Sequence, residues 1–145
     1  EVMATYGGVL HYNLAWAQNI GGSDWGRHGI AVDDTGNVYA TGDFYDRIDI
    51  NGDGTADLVS AGETDAYIAK FNRDGTLVWA QSIGGRSWDS GDGIAVDDAG
   101  NVYATGDFSG RMDINGDGTA DLVSAGETDA YIAKFNRDGT LVWAQ

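Results

Sequence analysis

The chain has 145 residues and carries a formal charge of −15, with a pI near 4.1. An acidity of that size excludes nucleic acid and anionic membrane as partners and favours cations. Its apolar content of 42% is enough to bury a core, so the charge does not signal disorder.

Cysteine is absent, which excludes disulfides and thiolate metal sites. No apolar run approaches the ~18 residues of a membrane span, and no signal-peptide pattern is present. The length fits one compact domain. Because the chain starts at Glu1 rather than Met, it is expected to be processed, truncated or part of something longer. The 23 glycines, the absence of proline, and abundant Val, Ile, Tyr, Trp and Thr point to short strands joined by tight turns.

In chain order, residues 1–18 read as a worn half unit. Val2 to Tyr6 aligns with Tyr67 to Phe71, and Leu14 to Gln18 aligns with Leu77 to Gln81. Two whole units follow, 19–81 and 82–145; residues 29–81 match 93–145 except at Thr35/Ala99, Tyr45/Ser109, Asp46/Gly110 and Ile48/Met112. Each unit predicts four strands. In the first, strand A is Gly29 to Asp33 and strand B is Val38 to Phe44. A long acidic loop from Asp49 to Asp65 separates B from strand C, Ala66 to Asn72. An Asp74-Gly75 turn then leads to strand D, Leu77 to Ile83. Strand C is apolar on both faces except at Lys70, so both faces are expected to be covered by neighbouring sheets. No helical period appears. The fold class is all-β: tandem four-stranded antiparallel meander blades of β-propeller type, about two and a half repeats per chain, with a sandwich or solenoid as the rival.

Within the acidic loop, Asp49, Asn51, Asp53 and Asp57 place oxygen side chains at positions 1, 3, 5 and 9. Gly54 stands at position 6, and Thr55 at position 7 offers its carbonyl. Asp113, Asn115, Asp117, Gly118, Thr119 and Asp121 repeat the pattern. Calcium takes 6–8 hard oxygen ligands at 2.3–2.6 Å, and alternate side chains on a tightly curled loop converge to supply them. About two Ca2+ per chain are therefore expected, in a structural role. Ser60 and Ser124 stand where an EF-hand has its bidentate Glu, and no helices flank the loop. The bland alternative is an Asx-rich turn without metal.

The runs Gly-Ile-Ala-Val-Asp-Asp-x-Gly-Asn-Val-Tyr-x-Thr-Gly-Asp-Phe (29–44, 93–108) and Asp-Ala-Tyr-Ile-Ala-Lys-Phe-Asn (65–72, 129–136), with Leu-Val-Trp-Ala-Gln and Ile-Gly-Gly, resemble the bacterial seven-bladed β-propeller (SBBP) repeat family. The resemblance covers about residues 14–145. It implies propeller blades, secreted or at the bacterial surface, and no chemistry. The acidic loops resemble the Asp-x-Asn-x-Asp-Gly-x-x-Asp loops of integrin-type FG-GAP repeats. That likeness implies direct ligation by the residue at position 9, with water completing the shell.

Two and a half units fall short of the ~4–8 blades of a ring. Open faces and edges invite association, so self-association into a ring or filament is expected. Trp16, Trp79 and Trp143 are read as packing between blades. Trp25 and Trp88, on the variable D–A loop, offer a sugar-stacking alternative: a carbohydrate- or protein-binding adhesin. An engineered repeat is a third reading. His11 and His28 have no repeat equivalents and are read as incidental. No catalytic constellation is evident, so the leading function is a non-enzymatic, calcium-stabilised extracellular structural module.

Overall fold

The computed structural model describes residues 4–6, 9–11 and 15–145, with 4–6, 9–11 and 22–26 described by their backbone alone. Two short strands, β1 (Ala4–Tyr6) and β2 (Val9–His11), pair antiparallel. Then come β3 (Gly21–Val32), β4 (Val38–Asp49), β5 (Leu58–Phe71) and β6 (Leu77–Gly85), and after them β7 (Gly93–Val96) and β8 (Val102–Phe108). The short pair β9 (Arg111–Asp113) and β10 (Leu122–Val123) precedes β11 (Asp129–Phe135) and β12 (Leu141–Ala144).

Strands β3 to β6 form one antiparallel meander, blade 1. Strands β7, β8, β11 and β12 form the second, blade 2, in the order β12-β11-β8-β7. The architecture is all-β, as the residue pattern predicts. Turn chemistry sets the hairpins. Asp33 Oδ1 accepts from Thr35 N (3.0 Å) and Asn37 N (2.9 Å), closing the β3–β4 turn. Asn72 Oδ1 accepts from Asp74 N (2.9 Å) and Thr76 N (3.0 Å) in the β5–β6 turn. Asp97 and Asn136 repeat both arrangements in blade 2.

Some strands run further than expected. In blade 1, β4 and β5 pair out to Ile48↔Leu58, so the expected 49–65 loop contracts to about residues 50–57. In blade 2 the same stretch breaks away from its own blade. Its β9 pairs with β6 of blade 1 through Gly84↔Asp113 and Gly85↔Met112. The equivalent pairing in blade 1 is Gly21↔Asp49 and Gly22↔Ile48. The Ile-Gly-Gly motif is thus a backbone seam to the base of the next acidic loop.

Residues 15–18, expected as part of a strand D, carry no strand. They meet blade 1 through side chains instead: Trp16 stacks on Phe71 (6.4 Å, 30°) and donates Nε1 to Arg73 O at 3.1 Å. The expected alignment of 2–6 with strand C lies partly outside the described residues.

Alternation splits each strand between two faces. One core lies between the blades: Tyr39, Ala66, Ile68 and Ile83 of blade 1 pack on Val102, Ala104, Tyr131, Ala133 and Phe135 of blade 2. The other lies on the far face of blade 1, around Phe44, Ile48, Ile50, Tyr67, Ala69 and Phe71, with Ile20 against it. The expectation that strand C is covered on both faces holds for β5, where Asp65 to Ala69 are all buried. It fails for β11, whose burial alternates and whose Ile132 is 52% exposed. The reason is positional: blade 2 covers β5, and no described element covers the matching face of β11.

Candidate metal centre

Both acidic loops are anchored by one buried apolar residue at position 2, Ile50 (0% exposed) and Ile114 (1%). Burying these side chains turns their polar neighbours outward. A backbone bond then closes each loop base, Asp57 N to Ile48 O (2.8 Å) and Asp121 N to Met112 O (2.9 Å).

Inside loop 1, the Asp49 carboxylate accepts from Gly52 N (2.7 Å) and Gly54 N (2.8 Å). Asn51 Oδ1 accepts from Asp53 N, and Asp53 Oδ1 from Thr55 N. Asp57 Oδ2 accepts from Ile50 N (2.7 Å) and Asn51 N (3.0 Å), and its Oδ1 accepts from Asn51 Nδ2 (3.2 Å). Loop 2 repeats each bond with Asp113, Asn115, Asp117, Thr119 and Asp121. Gly54 and Gly118 have φ of 90° and 88°, the left-handed region that glycine enters without steric cost and that curls the loop.

All ten expected ligand residues therefore fall on two copies of one curled loop. Among the described residues, no three carboxylate or imidazole side chains stand close enough together to hold a metal ion by themselves. The carboxylates at positions 1 and 9 are turned onto backbone amides. Each carboxylate has about four lone-pair sites, so those of Asp49, Asp53 and Asp57 keep acceptor capacity beyond these bonds. The donor set is oxygen only, which is the chemistry of a hard cation.

Position 12 has a different job from the one an EF-hand gives it. Ser60 Oγ accepts from Asp46 N (3.1 Å) and donates to Gly62 O (3.3 Å), and Ser124 does the same with Gly110 N (2.9 Å) and Gly126 O (3.0 Å). The serine clamps the bulge at the loop entrance.

Sequence reading missed a buried carboxylate group at the blade interface. Asp43 and Asp65 are 1% exposed and Asp89 0%. Asp65 Oδ2 accepts from Ala61 N and Ser82 Oγ, both at 2.8 Å, while its Oδ1 has no hydrogen-bond partner. Asp89 Oδ2 accepts from Gly85 N at 2.7 Å. Burial pushes the Asp89 carboxyl up to about 7; the Gly85 amide draws it back and the charge of Asp65 pushes it further up. Burial raises Asp65 as well. An Asp in a Gly/Ser-rich loop carries no periodic signal of burial, so only the docking of the blades reveals the group.

The Trp25 side chain lies outside the described residues. Trp88 is half-buried, and the Arg27 guanidinium lies 5.5 Å from its ring centroid. Arg27 also bridges to Asp92 and Asp107. Trp79 packs between the blades as expected, with Nε1 donating to Arg137 O at 3.2 Å. No described helix is long and apolar enough to cross a membrane.

No protein-family model matches the chain, so the likeness to the bacterial propeller repeats rests on the motifs themselves. Over 94 residues, 62% of the chain, it is 32% identical to an uncharacterized WD repeat-containing protein of Acanthamoeba polyphaga mimivirus. The matched region spans 7% of that protein's length. WD repeats are four-stranded propeller blades. Successive four-stranded meanders and this distant relative agree that the chain is an all-β tandem repeat of propeller type.

Proposed function

We propose that the chain is a non-enzymatic structural module of the bacterial exterior whose propeller-type blades associate with one another and are stabilised by about two Ca2+. The observation that carries this reading is the duplication of the acidic loop down to its hydrogen bonds, on blades whose faces are built for stacking. Asp49, Asn51, Asp53, Asp57 and the Thr55 carbonyl would hold one ion. Asp113, Asn115, Asp117, Asp121 and the Thr119 carbonyl would hold the other. A bound ion supplies charge neutralisation. The residues supply a preformed curl, fixed by Ile50 or Ile114 beneath and by the amides on positions 1 and 9. Near-identical units suit a repeated scaffold better than a catalytic centre, which needs asymmetry. The likeness to a WD repeat protein supports protein contacts as the working surface.

The test is calorimetric titration with calcium, together with thermal unfolding in calcium and in chelator. We expect about two sites per chain and stabilisation of about 4 kcal/mol per site at a thousandfold excess over Kd. Joint Asp49→Asn and Asp113→Asn substitution should abolish both effects. No binding heat and no thermal shift would refute the calcium part. The adhesin reading gains less support, because Arg27 already occupies one face of the Trp88 ring that a sugar would need.

A further inference from the structure

The segment Trp-Ala-Gln occurs three times, at 16–18, 79–81 and 143–145. Two of these segments are seated. Trp16 donates Nε1 to Arg73 O, and a Cβ on Gly75 would meet its ring at 2.8 Å. Trp79 donates Nε1 to Arg137 O, and a Cβ on Gly139 would meet its ring at 3.0 Å. The two seats are copies of each other, each with a positive-φ glycine (83° and 84°) that leaves room for an indole. Trp143 is 41% exposed.

The exposure is not confined to one residue. On the outer face of blade 2, Ile132 (52% exposed), Thr105, Ala130 and Trp143 are open, whereas their blade 1 equivalents Ile68, Thr41 and Ala66 are fully buried under blade 2. The opposite end of the chain shows the complementary deficit. Ile94 and Val96 of blade 2 pack into the interblade core, while their equivalents on blade 1, Ile30 and Val32, are 72% and 59% exposed. The two surfaces that meet inside the chain are thus repeated at its two ends: one wholly open, the other open along β3 and filled near β5 and β6 by Trp16 and Ile20.

We propose that the outer face of blade 2 docks on blade 1 of a second copy of this chain. There it reproduces the internal blade contact, and Trp143 takes the Arg73–Gly75 seat from Trp16. This rests on the self-association reading above and gives it a surface and a control. The contact is head-to-tail, so it leads to rings or filaments rather than a two-fold pair. Trp16 acts as a tethered competitor, present at an effective concentration of roughly millimolar. The incoming face prevails by adding the Ile132 area that residues 15–20 lack.

The experiment is sedimentation velocity on the whole chain and its variants over a dilution series, with circular dichroism to confirm folding. We expect concentration-dependent association, weakened on the order of a hundredfold by Ile132→Asp or Ile30→Asp, each of which places an unpaired charge in the contact. Mixing those two variants should restore one-to-one pairs and nothing larger, since each keeps one good face. Trp16→Ala should tighten association by roughly tenfold, as loss of a tethered competitor requires. Adding Ile132→Asp to Trp16→Ala should return the monomer. A chain and a Trp16→Ala variant that both stay monomeric would overturn the proposal, as would undiminished association of Ile132→Asp or a variant mixture that never pairs. Repeating the series in chelator separates the two readings: association that survives while calcium binding is absent refutes the calcium reading alone.

Discussion

Blade 1 and blade 2 share their strand sequences almost letter for letter, yet they live in different surroundings. Ile68 is 0% exposed and Ile132 is 52% exposed in the same run, Tyr-Ile-Ala-Lys-Phe. Thr41 and Thr105 both donate Oγ1 to the carbonyl of the facing tyrosine at 2.7 Å, but only Thr41 is buried. Lys70 and Lys134 lie over Tyr39 and Tyr103 at 5.4 and 5.3 Å. Local geometry is therefore a property of the repeat, and burial is a property of the neighbour. In a stacked array, stability resides in the contacts between units as much as within them.

Substitutions at matched positions can break that comparison. The largest difference is expected at the paired isoleucines. Ile68→Ala should cost about 3 kcal/mol, the transfer and cavity loss of a buried aliphatic chain, while Ile132→Ala in dilute protein should stay within about 0.5 kcal/mol. Urea unfolding followed by tryptophan fluorescence reads both, and equal losses would mean that blade 2 does not cover β5 in solution.

A smaller effect separates the blades by pH. Asp89 follows Trp88, where Gly26 follows Trp25, so blade 1 has no counterpart. Its folded-state value of about 7 stands above the ordinary 3.8. Between those values the folded chain holds a proton that the unfolded chain has released. Stability from this group is fully present below about pH 4 and is lost as pH rises towards 7. The loss should be on the order of 2 kcal/mol, and Asp89→Asn should flatten that part of the stability profile.

The smallest effect concerns one of the four differences between the units. Asp46 has φ of 61°, and its counterpart Gly110 has φ of 73°. Blade 1 thus places a side chain in the left-handed region at the bulge where blade 2 has glycine. Asp46→Gly should stabilise the chain by about 0.5 kcal/mol, and a loss on thermal unfolding would show that the Asp46 side chain makes a compensating contact.

The meander was legible because its signals are local. Asp74-Gly75 and its copy mark a hairpin turn, which the structure shows closed by Asn72, and alternation of Val38, Tyr39 and Ala40 specifies faces. The extra length of β4 and β5 was hidden, since a register shift between Tyr45 and Arg47 interrupts the alternation before Ile48 and Leu58 resume it. The β6–β9 pairing was hidden too, because it joins Gly84-Gly85 to Met112 and Asp113 through peptide groups alone. Strand C reads as two-sided in both copies. Only the arrangement of the blades shows that β11 has one face open. At the loops, the sequence marks two copies of one acidic pattern, and the structure adds the buried Ile50 and Ile114 and the serine clamp. Buried Asp65 and Asp89 carry no signal beyond their type.

The Ile-Gly-Gly seam also bears on how such a chain is inherited. Gly21-Gly22 and Gly84-Gly85 hold the foot of the following acidic loop by backbone bonds, and at the second seam a Cβ on Gly84 would strike the Asp65 carboxyl and one on Gly85 the Arg111 carbonyl, so the join requires glycine there. A unit copied in tandem arrives with both halves of its own fastening: a diglycine at its head and the loop foot that receives it. Faces can drift afterwards without unpicking the join, so duplication of the gene segment is enough to lengthen the array.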